Sequence, residues 1–465
     1  MALEIDIQGM EREKITGQVE ISPEIAAEIK KGVKNVEHLE KKIGEFLSSS
    51  ATELLAVILG GAIVLNASDI HIEPEEKKTK LRIRIDGVLH NITALDLNIY
   101  RTLLSRVKLL ANLKLNVTDR PQDGRFTILM EDVVIEIRTS TLPAERGESI
   151  VMRTLNPKSL IEMDALGLRK DLIEIFNKEI RRPNGMIIVT GPTGSGKTTT
   201  LYAVLKKINN PTIKIITIED PIEYHLEGLS QTQVDPKKGY TFASGLKSIM
   251  RQDPDVILIG EIRDMETSEI ACQAALTGHL VLSTLHTNDA AGAIARLVDL
   301  GVRPISIAPA VTMVVAQRLP RKVCKKCAEL VAPSPQEIEK LKKGLTGVKK
   351  DILPPSFAEL LSPKERAKGK KRPLFSSPFD SKFKIPRAKG CEDCNRTGYR
   401  GRIGIYETFL VDDEMERFIL TSPSIIDMEE LAVKKGMISM RQDGLMKVLE
   451  GITTIEEIER VAGEQ

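Results

Sequence analysis

The chain has 465 residues, of which 42% are hydrophobic and 28% charged; this is typical of soluble globular proteins and long enough for about three domains. Its 67 lysines and arginines nearly balance 65 aspartates and glutamates, and tryptophan is absent. The formal net charge of +2 argues against a polycation that binds nucleic acid, and the 3% aromatic content argues weakly against base-stacking surfaces.

Residues 1–49 are polar and mostly helical in pattern, and they predict an N-terminal helical arm that contributes little core. No basic region followed by an apolar stretch opens the sequence, so no secretory signal is visible and we expect a cytoplasmic protein. The most apolar run, 54–65, has 12 residues, whereas a membrane span needs about 20. It therefore predicts a buried core helix.

Residues 50–155 predict a small α/β domain. The stretch 68–90 alternates apolar and polar positions and contains an Asp-Gly turn, a combination typical of a β-hairpin. A second alternating stretch covers 124–142, and a segment with helical spacing separates the two. Residues 156–165 then predict a linker.

From 166 to 320, apolar β runs alternate with helices, which is the pattern of a parallel sheet with crossover helices. Residues 321–402 differ, because they contain two Cys-x-x-Cys pairs separated by a basic insert. In that insert, 328–390, 15 lysines and arginines stand against 7 acidic residues, an excess of 8, and we expect loop or partly disordered chain. Residues 403–465 return to a helical pattern with an Asp-Gly break.

The run IIVTGPTGSGKTTTLYAVL, 187–205, passes from a strand-like apolar segment through a glycine-rich turn to an apolar helix. It completes the pattern G-x-x-x-x-G-K-[ST], whose backbone N–H groups surround nucleotide phosphates at a helix N-terminus. Lys197 is expected to reach the β- and γ-phosphates, and Thr198 to bind Mg²⁺. The predicted nucleotide-binding residues of this turn are Gly191, Pro192, Thr193, Gly194, Ser195, Gly196, Lys197, Thr198 and Thr199.

Carboxylates end two later β runs. DPDVILIGE ends in Glu261, which can polarise water or hold Mg²⁺ through a water there. ITIEDPIEY contains Glu219 and Asp220 at a strand end, with Glu223 one turn further on, and such carboxylates can align water or accept a proton. A solvated surface position is the alternative for these acids.

Two of the six histidines lie in TGHLVLSTLHTNDA. His286 stands at a predicted strand end, where it is placed to sense a γ-phosphate. For His279, a structural role is an equal alternative, because isolated histidines often serve packing alone.

Four of the five cysteines form two pairs, Cys324 with Cys327 and Cys391 with Cys394, separated by a spacer of 63 residues. Four thiolates suit tetrahedral Zn²⁺ in a closed structural site. Inert cysteines are one alternative, and an iron–sulfur cluster, which usually has a different spacing, is another. The fifth, Cys272 in EIACQAAL, predicts core packing.

The order of these motifs resembles that of the type II secretion and type IV pilus assembly ATPases, which belong to the secretion-ATPase superfamily. The resemblance covers about residues 50–465. Further stretches that carry it are ASDIHIEP (67–74), RIDGVL (84–89), RPQDGR (120–125), ERGESIVMR (145–153), QTQVDPKKGYTF (231–242), RQDPDV (251–256), VAQRL (315–319), GYRGRIGIYE (398–407) and RQDGLMKVLEGITTIEEIERV (441–461).

The resemblance implies a RecA-like P-loop domain preceded by a PAS-like α/β domain, with a tetracysteine zinc subdomain and a C-terminal helical region. It also implies a homohexameric ring in which the N-terminal domain of one subunit closes on the ATP held by a RecA-like domain. That motion turns an inner-membrane platform protein, which adds pilin or pseudopilin subunits. The implied catalytic residues are Glu219, Glu261, His286, Arg138 and Arg153, with Asp220, Glu223 and His279 beside the nucleotide.

Alternative functions are less well supported. Pilus-retraction ATPases lack the tetracysteine element and carry an AIRNLI-type C-terminal motif that this sequence does not contain. The balanced charge argues against a RecA-like nucleic-acid motor, so we expect no nucleic-acid partner. A non-hydrolysing scaffold is disfavoured by the presence of Glu219 and Glu261. For Arg138 and Arg153, a solvated strand face is the alternative.

Type IV pilus extension and type II secretion are not distinguished by the sequence, since the chemistry is the same in both. Only about 50 residues precede the region of resemblance, fewer than in most of the family. Docking on a cytoplasmic or membrane-bound recruiter, and regulation by a cyclic dinucleotide, therefore stay open.

Overall fold

The computed structural model describes residues 17–131, 133–157, 161–349, 352–353 and 384–463. These residues divide into two compact units. The first unit contains the described residues up to 157 together with 391–396, and the second contains the remainder from 161 onward.

The first unit is a seven-stranded sheet covered by helices on one face. Its sheet order is β1-β5-β6-β7-β2-β3-β4, in which β1 runs parallel to β5 and the other pairs are antiparallel. Its strands are β1 Gln18–Glu20, β2 Asp69–Pro74, β3 Thr79–Ile85, β4 Val88–Leu95, β5 Gln122–Met130, β6 Val133–Ala144 and β7 Gly147–Leu155. Its helices are α1 Pro23–Gly32, α2 Val36–Glu45, α3 Ala51–Val64 and α4 Leu97–Leu110.

Local sequence explains two of these elements. A capping box between Ser50 and Glu53 begins α3, whose residues 54–62 are all buried, so the prediction of a core helix is confirmed. The predicted Asp-Gly turn joins β3 to β4, where Asp86 has φ 50° and Gly87 has φ 82°. Two successive positive φ angles form the tight turn that matches the twist of a hairpin.

The second unit is built on another seven-stranded sheet, of order β10-β9-β11-β12-β8-β13-β18. The pairs are parallel except for β18, which runs antiparallel to β13. The strands are β8 Gly185–Thr190, β9 Ile215–Glu219, β10 Ser230–Gln233, β11 Val256–Ile259, β12 Leu280–Leu285, β13 Val311–Arg318 and β18 Ile405–Leu410. Two small antiparallel sheets pair β14 Arg321–Val323 with β17 Tyr399–Arg402, and β15 Glu329–Val331 with β16 Ile385–Arg387.

Helices cover both faces of this sheet, as expected for a parallel α/β fold. Residues of α5 and α6 pack in a core on one face, whereas α7, α8, α9 and the C-terminal helices share a larger core on the other. The helices are α5 Lys170–Glu179, α6 Lys197–Ile208, α7 Phe242–Ile249, α8 Met265–Leu276, α9 Ala291–Asp299, α10 Pro304–Ile307, α11 Pro335–Gly344, α12 Asp413–Ile419, α13 Ile425–Lys434, α14 Met440–Leu449 and α15 Ile455–Ala462.

Three regions differ from the expectation drawn from the sequence. Residues 17–49, expected to be an arm with little core, contribute a strand to the first sheet, and α1 and α2 bury apolar side chains in its core. The C-terminal region is helical from Asp413 onward, as predicted, but it begins with β18 in the second sheet. In the basic insert, β15, α11 and β16 form regular structure and α11 buries Ile338 and Leu341; residues 350–351 and 354–383 of the insert lie outside the described residues.

Two further predictions concern Cys272 and the apolar character of the helices. Cys272 is fully buried in the larger core of the second unit, as predicted, and burial raises the pKa of its thiol to about 12. Among the described helices, none combines the length and the apolar character that a membrane crossing requires.

Lys108 and Glu148 form a buried ion pair in the first unit. Lys108 on α4 donates to Glu148 on β7 and to the Val117 carbonyl at 2.8 Å, and both side chains of the pair are 2% exposed. Lys108→Met leaves the Glu148 carboxylate buried without its partner, so we expect a loss of about 3–5 kcal/mol in the free energy of unfolding of this unit. Hydrogen exchange of β7 amides in the full chain measures that loss.

The control is the double variant Lys108→Met/Glu148→Leu, which removes both charges. Because an apolar pair of similar size avoids the uncompensated charge, its stability should lie closer to wild type than that of Lys108→Met. Equal destabilisation in the two variants would show that packing, not charge pairing, determines the effect.

Candidate active site

The turn between β8 and α6, residues 191–196, contains three glycines with positive φ angles. Gly191, Gly194 and Gly196 have φ angles of 151°, 79° and 89°, which other residues rarely adopt. A Cβ on Gly191 would lie 2.6 Å from the carbonyl oxygen of Gln317, so the close approach of β13 also requires glycine there. Gly196 caps α6 without a side-chain acceptor, which leaves the first N–H groups of the helix available to an anion.

Lys197 begins α6 and is only 7% exposed. Its Nζ donates to the carbonyl oxygens of Gly191 at 2.7 Å and Pro192 at 3.2 Å. Burial lowers its pKa to about 8; the negative charges of Glu261 and Glu223 oppose this effect. A cation held at this depth favours an anionic ligand.

The other turn residues differ in exposure. Pro192, Thr193 and Gly194 are exposed, and Thr198 and Thr199 are partly buried on the first turn of α6. Ser195 is 4% exposed, and its hydroxyl makes no hydrogen bond with any described residue. The predicted phosphate-binding residues therefore lie together, with exposed and buried donors on one turn.

Glu261 lies at the carboxyl end of the sheet, where β11 ends beside β12. Its carboxylate is 15% exposed and contacts Arg263 Nη2 at 2.5 Å and His286 Nε2 at 3.5 Å. The pKa of His286 is lowered, first by burial and then by the positive charge of Lys197, while Glu261 opposes the shift. Glu261 and His286 thus share one electrostatic environment with Lys197.

Glu219 occupies the end of β9, but its side chain is only 3% exposed. Both carboxylate oxygens accept hydrogen bonds: one from the Tyr202 hydroxyl, the other from Thr217 at 2.6 Å and Gln231 at 3.3 Å. Burial and the charge of Glu219 raise the pKa of Tyr202. In this conformation Glu219 is part of an internal hydrogen-bond network rather than an open base.

The neighbouring acids and the second histidine occupy different places. Asp220 is exposed directly after β9, and Glu223 is partly buried and electrostatically coupled to Lys197. His279 precedes β12, whose first residue pairs with Gly185 at the start of β8. Its Nδ1 lies 3.0 Å from the Ala274 carbonyl oxygen. His279 therefore lies at the amino-terminal end of the strands, opposite the end that leads into the phosphate-binding turn.

Gln317 and Arg318, at the end of β13, are contacts that reasoning from the sequence missed. Gln317 accepts a hydrogen bond from Thr200 at 2.8 Å and packs under the turn. Arg318 donates to the Asn288 carbonyl at 2.7 Å, and its charge contributes to the low pKa of Lys197. They stand in the stretch VAQRL, but only the pairing of β13 with β8 brings them to the turn.

Arg138 and Arg153 lie in the first unit, at directly paired positions of β6 and β7. Side chains at paired positions of antiparallel strands share one face of the sheet. The Arg138 guanidinium lies 3.5 Å from Glu136, and the Arg153 guanidinium lies 2.9 Å from Asp69. The sheet therefore places the two predicted arginines side by side.

The four paired cysteines meet in space. The sulfur atoms of Cys324, Cys327, Cys391 and Cys394 lie within 4.8 Å of one another, and those of Cys391 and Cys394 are 3.7 Å apart. Zn–S bonds of 2.3 Å in a tetrahedron separate neighbouring sulfurs by about 3.8 Å. The donor set and its spacing fit a tetrahedral tetrathiolate metal site.

Comparison with known proteins agrees with this geometry. The profile of the family described as "Type II/IV secretion system protein" matches residues 48–460. A type II secretion system protein E of Pseudomonas aeruginosa is 44% identical over 413 residues, covering 89% of this chain and 75% of the relative. The type IV pilus assembly ATPase PilB of Thermus thermophilus is 41% identical over 447 residues, covering 96% of this chain but 46% of the relative.

A solved structure of related architecture is the pilus retraction motor PilT with bound ADP. It is 25% identical, with a TM-score of 0.56, and the match covers 88% of this chain and 96% of that one. The likeness extends over both α/β units described above.

The low pKa of Lys197 predicts a proton uptake on nucleotide binding. A bound triphosphate stabilises the ammonium form, so at pH 9 the free site, with a pKa of about 8, should take up about 0.9 proton, and at pH 7 very little. Affinity should correspondingly fall as the pH rises above 8. Calorimetry with a non-hydrolysable ATP analogue in two buffers of different ionisation enthalpy measures this uptake.

Lys197→Arg is the matched control, because a guanidinium stays charged across this pH range. Binding by that variant should show no proton uptake at pH 9. Equal uptake by the two proteins would assign the titration to another group.

Proposed function

The chain belongs to the Type II/IV secretion system protein family, and on that premise we propose that it is a hexameric ATPase motor. It hydrolyses ATP to ADP and phosphate and drives assembly of a type IV pilus or a type II secretion pseudopilus. The observation that carries the proposal is the buried Lys197, whose Nζ donates to two carbonyl oxygens of the glycine-rich turn and lies in the electrostatic range of Glu261.

Different residues of the second unit bind the phosphates, hold the metal ion and orient the attacking water. The turn 191–196 and the N-terminus of α6 bind the phosphates, and Lys197 exchanges its carbonyl partners for phosphate oxygens. Thr198, and Glu261 through a water, would hold Mg²⁺, which when bound would supply positive charge beside the β- and γ-phosphates. Glu261 is also placed to orient the attacking water, and His286, 3.5 Å from it, to sense the γ-phosphate.

The predicted arginines extend this scheme to a second subunit. Arg138 and Arg153 have the chemistry that stabilises charge developing on a transferred phosphoryl group. We place them against the nucleotide of a neighbouring subunit in the ring. The first unit closes on ATP and opens again after hydrolysis, and this movement supplies the mechanical step.

The proposed site of action is the cytoplasmic face of the inner membrane. A platform protein in that membrane receives the motion, and a recruiter protein is a further possible partner. Relatives named for type II secretion and for pilus assembly have nearly equal identity, so both cargo systems remain within the proposal. Retraction is less well supported, since PilT is 25% identical.

For the four-cysteine group we propose zinc in a structural role. Four thiolates leave no open coordination position, so the metal would stabilise the fold without taking part in hydrolysis. Cys324, Cys327, Cys391 and Cys394 are the ligands. The short strands β14 and β17 flank two of these cysteines and offer little apolar core of their own.

Glu261→Gln tests the hydrolytic role. We expect Mg-ATP hydrolysis to fall at least 100-fold while nucleotide binding persists, because the amide keeps the shape but cannot act as a base. In the wild type, activity should rise faster than linearly with protein concentration, since each site needs a neighbour. Steady-state phosphate release, with masses measured in parallel, gives both results.

The matched control is Glu266→Gln. This variant removes an exposed carboxylate of α8 that pairs with Lys247 of α7. It should hydrolyse ATP at the wild-type rate. A rate strictly proportional to concentration in a range where only monomers are present would contradict the ring mechanism.

Metal analysis tests the zinc site. Purified protein should contain about one zinc per chain, and Cys391→Ser or Cys324→Ser should lose most of it and unfold at a lower temperature. Cys272→Ser, which changes the buried cysteine outside the group, should keep its zinc. Iron in place of zinc, or full zinc content after Cys391→Ser, would exclude the assigned ligand set.

A further inference from the structure

One face of the first sheet carries a row of charged residues at a single register. Arg125 on β5 pairs with Arg138 on β6, which pairs with Arg153 on β7; Arg153 pairs with Asp69 on β2, and Asp69 with Arg84 on β3. One neighbour of each charged residue along its strand is fully buried in the core. These neighbours are Phe126 on β5, Ile137 on β6, Met152 on β7, Ile70 on β2 and Ile83 on β3. Alternation along a strand therefore places the charged row on the opposite face.

The row contains four guanidinium groups and one carboxylate. Neighbouring strands lie about 4.8 Å apart, a distance at which like charges in directly opposed positions destabilise a sheet. Asp69 stands between Arg153 and Arg84, where it offsets part of that repulsion. The row keeps an excess of three positive charges, which suits a polyanionic ligand.

Asp69 binds both of its neighbours through their inner nitrogens. Its Oδ1 accepts from Arg153 Nε at 2.9 Å, and its Oδ2 lies 3.5 Å from Arg84 Nε. Ser68 Oγ donates to Oδ2 at 2.9 Å, and the Asp69 side chain is only 7% exposed. The carboxylate is thus fixed from several sides.

The contact leaves the outer end of Arg153 open. Its side chain is 54% exposed, and among the described residues Asp69 is its only hydrogen-bonding or ionic partner. Because Asp69 binds Nε, the two terminal nitrogens remain available as a planar pair of donors. That pair matches the oxygens of a phosphate group in a bidentate contact.

We infer that Asp69 is a positioning residue for Arg153: it orients the guanidinium so that the terminal nitrogens meet the γ-phosphate of ATP. This inference rests on the proposed function, in which Arg153 reaches the nucleotide of a neighbouring subunit. Asp69 itself does not touch the nucleotide. Without it, Arg153 keeps its charge but loses its fixed direction, so that the transition state is affected more than substrate binding.

Asp69→Asn in the full chain tests the inference. We expect kcat for Mg-ATP to fall about tenfold or more, with KM changed less than threefold, since an arginine that acts on a transferred phosphoryl group is worth far more than tenfold. Adding Arg153→Ala to Asp69→Asn should give no further loss beyond Arg153→Ala alone, because both changes remove one interaction.

Glu73→Gln is the matched control. Glu73 lies on β2 like Asp69 and pairs with Arg82 of β3, so the variant also breaks a carboxylate–guanidinium pair between these strands. Its kcat should stay within twofold of wild type, and both variants should unfold at similar temperatures. Equal losses of kcat in Asp69→Asn and Glu73→Gln, or independent, multiplying losses in the Asp69/Arg153 double variant, would overturn the inference.

A binding measurement gives a second readout that does not depend on turnover. The ratio of ADP to ATP dissociation constants reports contacts to the γ-phosphate, and Asp69→Asn should reduce that ratio to the value found for Arg153→Ala. A ratio that Arg153→Ala lowers and Asp69→Asn leaves at the wild-type value would overturn the inference. If wild type hydrolyses ATP in a Glu261-dependent manner while Arg153→Ala is fully active, the positioning role falls and the proposed ATPase function stands.

Discussion

A cation that is nearly excluded from solvent determines the arrangement of the second unit. Burial disfavours the charged form of Lys197, and the negative charges of Glu261 and Glu223 offset this only in part. Its Nζ also donates to the carbonyl oxygens of Gly191 and Pro192. The backbone of the turn therefore lies close to the Lys197 side chain. Glycine at 191 permits this, because the Gln317 carbonyl oxygen occupies the space that a side chain would need. The negative charge of a bound triphosphate would stabilise the ammonium form of Lys197.

The remaining charges follow from that requirement. In the second unit, Glu261 opposes the pKa shift of Lys197 and also contacts Arg263 and His286, so that one carboxylate links the phosphate-binding turn to the end of β12. In the first unit, the row of charged residues that contains Arg138 and Arg153 has an excess of positive charge. The proposed motor combines the arginines of the first unit with the phosphate-binding turn of the second.

Local spacing was enough to predict the phosphate-binding turn, the Glu261 strand end and the two cysteine pairs, because each depends on residues that are close in sequence. It could not show that β13 lies beside β8, so the contacts of Gln317 and Arg318 were missed. Nor could it show that the Glu219 side chain turns inward to Tyr202, or that His279 lies before β12, at the amino-terminal end of the strands. Strand order and side-chain burial, which decide these cases, arise only in the folded chain. The core packing of α1 and α2 has the same origin.

Subunit complementation tests most directly whether a site formed by two subunits performs the hydrolysis. Lys197→Ala chains keep the arginines but lack a working phosphate-binding turn, whereas Arg153→Ala chains keep the turn but lack the arginine. Each protein alone should hydrolyse Mg-ATP very slowly, and rings mixed from the two should recover activity, with subunit exchange verified by native mass spectrometry. Mixed rings no faster than the sum of their components would contradict a site shared between neighbours.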